Sequence, residues 1–306
     1  MNRPALVVLA AALLLSLVAA WPRSVELPDI EGLWRVQVVA HRGGLIERPD
    51  STVAAFDHAV AVGATWLELD VHLSADGIAV VIHDDTVDRT TNGTGAVSDL
   101  TLDELRLLDA GYRWPEDMAP AERRFAAAHQ EPVWRGQGLG ILTLDEFLAR
   151  YTRHRLMIEI KPPGDDVVAA VLNDISRHGR ERSVLIASFD QDTLDKVRRL
   201  APEIATVASA GEARLFLAFA SLGLARFWPR RADALAIPPS LGERRLLTPR
   251  VVRAARSIGL PVYVWTINDA ETWDQLIDKG VDGILTDRPQ ALTEHLERRR
   301  GAPPGG

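Results

Sequence analysis

The stretch Trp66-Leu67-Glu68-Leu69-Asp70-Val71-His72 is followed, after Leu73-Ser74-Ala75-Asp76-Gly77, by a second apolar run at 78–82. Alternation along an extended strand puts Glu68 and Asp70 on one face and Leu67, Leu69 and Val71 on the other. Such a strand packs its apolar face on helices and opens its acids into a polar mouth. The five residues between the two runs are too few for a crossover helix, and Asp-Gly is a strong hairpin signal. A turn centred between Ala75 and Asp76 places Glu68 opposite His83, so the hairpin is expected to bring an acid and an imidazole together.

Outward from this hairpin, β-branched runs alternate with amphipathic stretches. Candidate strands lie at 36–40, 66–72, 78–82, 156–160, 184–188, 204–209, 234–237, 262–266 and 283–286, and candidate helices at 52–62, 165–178, 191–200, 248–258 and 270–279. Near-continuous apolar strands separated by helices describe a parallel sheet covered on both faces. The pattern predicts an α/β fold, a (β/α)8 TIM-type barrel with a hairpin-like irregularity between strands 2 and 3; no nucleotide-type glycine fingerprint follows the first strand. Residues 86–140 interrupt the rhythm, contain a helix at 101–108 and read as an excursion over one end.

The 306 residues are 47% hydrophobic and 25% charged, with 35 Lys plus Arg against 42 Asp plus Glu and no cysteine. Lack of cysteine excludes a disulfide scaffold, thiolate metal sites and a cysteine nucleophile. A net charge of −7 argues against a nucleic-acid partner. Residues 1–22 stand apart: a basic head, an apolar run at 5–20 with only Ser16 polar, and small residues before Trp21 predict an apolar N-terminal helix acting as signal peptide or membrane anchor. The expected organisation is export segment 1–22, one barrel domain at 33–296 and a frayed tail at 297–306, on an exported or membrane-anchored protein facing the periplasm or another extracytoplasmic space.

The chemistry collects at strand ends. His41-Arg42-Gly43-Gly44 closes the first strand, Glu68-Leu69-Asp70 lies in the second, His83-Asp84 closes the third and Glu159-Ile160-Lys161 closes the fourth. Barrel enzymes place reactive groups at the C-terminal ends of their strands. Three carboxylates without a thiol suit an oxygen-preferring cation, Mg2+ or Ca2+. Two histidines can remove and deliver protons in a displacement at phosphorus, and Arg42 and Lys161 can neutralise phosphate oxygens. These groups together point to phosphodiester cleavage.

Seven ordered blocks carry a resemblance: Val38-Val39-Ala40-His41-Arg42-Gly43, Pro49-Asp50-Ser51-Thr52, Glu68-Leu69-Asp70-Val71, Ile82-His83-Asp84, Arg89-Thr90-Thr91-Asn92-Gly93-Thr94-Gly95, Glu159-Ile160-Lys161 and Val264-Trp265-Thr266-Ile267-Asn268. Together they resemble the glycerophosphodiester phosphodiesterase family. The resemblance implies metal-dependent hydrolysis of glycerophosphodiesters to glycerol 3-phosphate and an alcohol on a phospholipase C-like barrel. It implies His41 and His83 as the acid–base pair, Glu68, Asp70 and Glu159 as metal ligands, Arg42 and Lys161 as phosphate contacts, and Trp265 on the glycerol side. Asp109-Ala110-Gly111, Leu142-Thr143-Leu144 and Thr286-Asp287-Arg288-Pro289 look like further landmarks. The family pattern Pro-Glu-Asn-Thr reads Pro49-Asp50-Ser51-Thr52 here, with Asp50 expected to support the His41 loop.

Other groups are expected to be structural: His58, His72, His129, His154, His178 and His295, the loop acids Asp84, Asp85 and Asp88, and the turn at 91–95. The segment 215–231, apolar at 215–224 and rimmed by Arg226, Phe227, Trp228, Arg230 and Arg231, is expected either to contact a membrane, together with residues 5–21, or hold an acyl chain, or to be a buried barrel helix. The first two options favour lysophospholipids as alternative substrates. A lyase of the phospholipase C type, releasing a cyclic phosphate, is a further alternative.

Overall fold

The computed structural model describes residues 36–116, 118, 123 and 134–301. In chain order the strands are β1 (Gln37–Ala40), β2 (Trp66–Leu73), β3 (Ala79–Val81), β4 (Arg155–Ile160), β5 (Val184–Ala187), β6 (Ala205–Thr206), β7 (Leu235–Ile237), β8 (Ser240–Leu241), β9 (Arg244–Arg245), β10 (Val262–Val264) and β11 (Gly283–Thr286). Helices are α1 (Val53–Ala61), α2 (Leu102–Leu105), α3 (Leu144–Arg150), α4 (Asp165–Arg177), α5 (Gln191–Leu200), α6 (Ala210–Ser221), α7 (Pro249–Arg256), α8 (Ala270–Lys279) and α9 (Pro289–Gly301).

The sheet runs β6-β5-β4-β2-β1-β11-β10-β7 with every neighbouring pair parallel. A parallel bridge from Val207 to Ala234 joins the two outer strands, an eight-strand arrangement consistent with a TIM-type barrel. Strand alternation sorts the side chains. Val39, Trp66, Met157, Leu185, Ala205, Ala234, Tyr263 and Leu285 form one apolar cluster inside the ring. Val38, Ala40, Leu67, Leu69, Leu156, Ile158 and Ile284 belong to a second cluster that includes the helices' buried faces. The next inward positions toward the C-terminal end are His41, Glu68, Glu159, Trp265 and Asp287, so the polar site is the continuation of the barrel's own inward register.

The excursion folds around its own small core of Val80, Ile82, Val87, Val97, Leu105, Ala110 and Ile141. It is fastened to the β1 loop where Trp114 Nε1 donates to the Leu45 carbonyl at 2.9 Å.

Several expectations change. The hairpin turns one residue later than expected: Val71 faces Val81 and Leu73 faces Ala79, because the Ser74 hydroxyl and amide both bond Ile78 and close a longer turn. Glu68 therefore does not face His83 in a ladder, and β3 ends at Val81. The tail predicted at 297–306 begins too early, since α9 runs through Gly301 and Arg299 bonds Asp278 at 2.8 Å. Helices α3 and α9 and the β8–β9 hairpin were not anticipated. The N-terminal segment 1–22 and His129 lie outside the described residues, and among those described no helix is long and apolar enough to cross a membrane.

Candidate active site

At the end of β1 the chain enters a single 3-10 turn, His41–Gly43, with Arg42 at φ 52°, Gly43 at 82° and Gly44 at 113°. A Cβ on Gly43 would lie 2.7 Å from Ala55 Cβ, so only glycine lets the turn press against α1. The left-handed Arg42 aims its amide at Glu68 Oε2, 2.9 Å away. Strain at one non-glycine residue is thus exchanged for a fixed carboxylate.

His41 Nδ1 lies 2.6 Å from Asp287 Oδ1. A carboxylate only accepts, so the imidazole proton sits on Nδ1. Asp287 is itself held: Asn268 Nδ2 donates to Oδ2 at 2.7 Å, and Asn268 Oδ1 accepts from the Asp287 amide at 2.9 Å. Burial alone would lower the His41 imidazole, but Asp287 and Glu68 outweigh it and push it up to about 9. Burial would likewise raise Asp287, yet the charge of His41 and the bonds from His41 and Asn268 hold it below the usual carboxylate range. Asp287 and Asn268 lie within the resembling blocks but carry no expected role from sequence. The inward alternation from Leu285 to Asp287 is the signal that would have found them.

Glu68, Asp70 and Glu159 bring one carboxylate oxygen each to within 4.8 Å of one another. Burial, then the neighbouring Asp70, pushes the Glu68 carboxyl up to about 8. The same two causes raise Glu159. Lys161 Nζ stands 2.9 Å from Glu159 Oε1 and 3.0 Å from Asp70 Oδ1, and Arg42 Nε lies 3.4 Å from Asp70 Oδ2. Both cations expected at the phosphate therefore also border the carboxylate cluster.

His83 Nδ1 pairs with Asp84 Oδ1 at 2.6 Å, and its carbonyl accepts from His72 Nε2 at 3.1 Å. Asp84, expected to be a loop acid, is thus the partner of the second imidazole. Asp50, expected to support the His41 loop, pairs its side chain with Arg89, 2.9 Å away, while the Ser51 amide beside it donates to the Arg42 carbonyl at 2.9 Å. His58, His178 and His295 pair with Glu47, Asp145 and Asp274 away from this cluster, as structural histidines.

His41, Arg42, Glu68, His83, Glu159, Lys161 and Trp265 line one cavity of about 470 Å³. The site residues foreseen from sequence converge there, with Asp70 buried directly behind. Phe189, Leu217, Ile237, Leu241 and Leu246 add an apolar lining to the same cavity, with Arg214 beside them. Helix α6 supplies Leu217 while burying Ala213, Phe216 and Ala220. The segment 215–231 is therefore divided between core, cavity wall and surface, with Leu215, Leu222, Leu224 and Phe227 exposed.

Two carboxylate-backed imidazoles, three clustered acids and two cations at the C-terminal end of a parallel barrel define a phosphodiester-cleaving class of site. The profile of the glycerophosphoryl diester phosphodiesterase family matches residues 41–291. A glycerophosphodiester phosphodiesterase of Caldanaerobacter subterraneus is 33% identical over 271 residues, covering 86% of this chain and 98% of the relative. A solved glycerophosphodiester phosphodiesterase of Agrobacterium tumefaciens superposes with a TM-score of 0.66 at 29% identity, covering 85% and 99% of the two chains. An Oleispira antarctica phosphodiesterase in complex with the product sn-glycerol-3-phosphate gives 0.66 at 28% identity, covering 85% and 96%. The chain belongs to the glycerophosphoryl diester phosphodiesterase family, and glycerophosphodiester hydrolysis is its activity.

Proposed function

We propose that the chain hydrolyses glycerophosphodiesters to glycerol 3-phosphate and an alcohol with His41 and His83 as the acid–base pair. The observation that carries this reading is the placement of both imidazoles, each anchored through Nδ1 by a carboxylate, on one cavity with the Glu68–Asp70–Glu159 cluster. Anchoring at Nδ1 leaves each Nε2 to exchange a proton. One takes a proton from the attacking water as its oxygen bonds phosphorus, and the other supplies a proton to the alcohol oxygen as its bond to phosphorus breaks.

Glu68, Asp70 and Glu159 are the residues to hold a divalent cation. Their fit is supported by three carboxyl groups gathered in a buried space, where Asp70 Oδ2 has no hydrogen-bond partner. An all-oxygen donor set suits Mg2+ or Ca2+. A cation held there supplies positive charge against the phosphoryl oxygens. Arg42 and Lys161 add fixed charge on the same side, and Trp265 bounds the glycerol arm. EDTA treatment is expected to abolish cleavage, and the His41→Ala and His83→Ala variants are each expected to leave only a small residual rate; full activity in any of the three overturns this mechanism.

A second reading rests on the apolar lining, which gives the cavity room for an acyl chain beside the glycerol. It predicts hydrolysis of lysophospholipids to lysophosphatidic acid. A panel of glycerophosphodiesters and lysophospholipids, read by glycerol 3-phosphate or lysophosphatidic acid released, decides between them. Export or membrane anchoring rests on residues 1–22, and membrane contact on 5–21 with the exposed Leu215, Leu222, Leu224 and Phe227. Cell fractionation with N-terminal sequencing tests export: an intact chain confined to the cytosol overturns it. Unchanged vesicle binding after deletion of 215–224 removes that segment from the contact.

A further inference from the structure

His83 lies two residues beyond the end of its strand. It follows β3, three residues long and paired antiparallel to β2 outside the parallel ring, so the barrel register that fixes His41, Glu68 and Glu159 does not fix His83. Behind its ring lies a chain of charges that the proton transfers do not use. Asp84 Oδ1 accepts from the ring Nδ1 at 2.6 Å, while Asp84 Oδ2 accepts from Arg89 Nε at 2.6 Å. The same guanidinium continues to Asp50, donating from NH2 to Oδ2 at 2.9 Å and from NH1 to Oδ1 at 3.3 Å. The Asp50 side chain is only 2% exposed. It lies in the loop that follows the His41 turn, beside Ser51, whose amide donates to the Arg42 carbonyl. The bonds that begin at one catalytic imidazole therefore end on the loop that carries the other.

We propose that Arg89 and Asp50 are positioning residues: Arg89 braces Asp84 behind the His83 ring, Asp50 ties that brace to the His41 loop, and one guanidinium sets how the two imidazoles face each other across the phosphate. This rests on His83 being one of the acid–base pair. A guanidinium suits the task because its planar fork reaches two carboxylates from different segments in fixed directions, which a lysine ammonium does not. Donors on both sides also keep Asp84 ionised: burial would raise its carboxyl, but the bonds from His83 and Arg89 hold it well below the usual range. An ionised Asp84 keeps the His83 proton on Nδ1 and the other nitrogen open toward substrate.

The test is a mutant cycle on the full chain with glycerophosphocholine at saturating divalent cation. Removing Arg89 alone strands the buried Asp50 charge, so the working variant is the shape-conserving pair Arg89→Met with Asp50→Asn, checked for folding by thermal melting. Its kcat is expected to fall about 10- to 100-fold, the range typical for loss of an outer partner that orients a histidine, with KM within about 2-fold. Arg89→Lys is expected to recover little. In a His83→Ala background the same pair is expected to cost less than about 2-fold, because residues acting through one group are not additive. Nitrogen-15 NMR of labelled histidine gives a readout that needs no turnover: His83 is a single Nδ1–H tautomer in the parent and a mixture in the variant. Equal losses in both backgrounds, an unchanged kcat in the parent background, or an unchanged tautomer overturns the brace. Full activity of His83→Ala itself overturns the underlying acid–base assignment instead.

Discussion

Asp287 decides what His41 can do. By accepting the Nδ1 proton at 2.6 Å while Asn268 holds its second oxygen, it fixes the tautomer and the ring plane. Asp287→Asn keeps the shape but favours the wrong tautomer. We expect kcat to fall by roughly 100- to 10,000-fold, the upper end matching the loss of such an orienting carboxylate in a serine protease triad, with little change in KM; steady-state kinetics checks it. The same pair makes the metal-free protein pH-sensitive. The folded-state value of His41 is raised from 6.5 to about 9, so its contribution is fully present below about pH 6.5 and is lost as pH rises through about 9. The shift corresponds to roughly 3 kcal/mol. In EDTA, urea unfolding at pH 6 and pH 9.5 is expected to show this loss in the parent and a smaller one in His41→Asn. Glu68, pushed up to about 8, acts in the same direction in both proteins, which is why the comparison is made between them.

At the scale of elements, α6 turns two adjacent residues to different surroundings, core and cavity. Phe216 is fully buried and meets Trp228 edge-on at 5.2 Å, whereas Leu217 reaches the cavity. Phe216→Ala is expected to cost about 3–5 kcal/mol in denaturant unfolding. Leu217→Ala is expected to leave that midpoint nearly unchanged and to raise KM about 10-fold for a long-chain lysophospholipid, if that is a substrate, but not for glycerophosphocholine. The strands that carry the site were legible because their inward and outward faces differ in polarity: Leu67, Leu69 and Val71 against Glu68 and Asp70. All nine sequence-read strands form, and helices α5 and α8 match their expected spans. The hairpin register was not legible, because it is set by the Ser74 hydroxyl on Ile78 and a one-residue change in turn length moves every pairing. Nor were the imidazole partners. Asp84 adjoins His83, but Asp287 lies 246 residues from His41 in sequence and Asp50 lies 39 from Arg89, distances that only barrel closure and the excursion bring together.

Across the whole molecule, ring closure and the site's charge act on each other. The ring is thinnest where β6, two residues long, meets β7 through one bridge. The seam is reinforced by Asp233, whose carboxylate accepts the Thr206 amide at 2.9 Å and whose own amide donates to the Thr206 carbonyl at 2.8 Å. Opposite that seam, Glu68 and Asp70 on β2 and Glu159 on β4 crowd three acids onto two adjacent strands. A divalent cation shared by these strands favours the closed barrel, since the unfolded chain has no assembled site and binding energy becomes folding energy. At about 100 times its dissociation constant such an ion adds about 2.7 kcal/mol, a rise in Tm of several degrees for a chain of this size. Scanning calorimetry with Mg2+ or Ca2+ against EDTA measures it. Glu159→Gln is expected to remove most of the shift, while Asp233→Ala, which leaves the Thr206 amide unbonded at the far seam, lowers Tm with and without the ion and preserves the shift between them. A metal-dependent shift that survives Glu159→Gln would place the cation elsewhere than on these two strands.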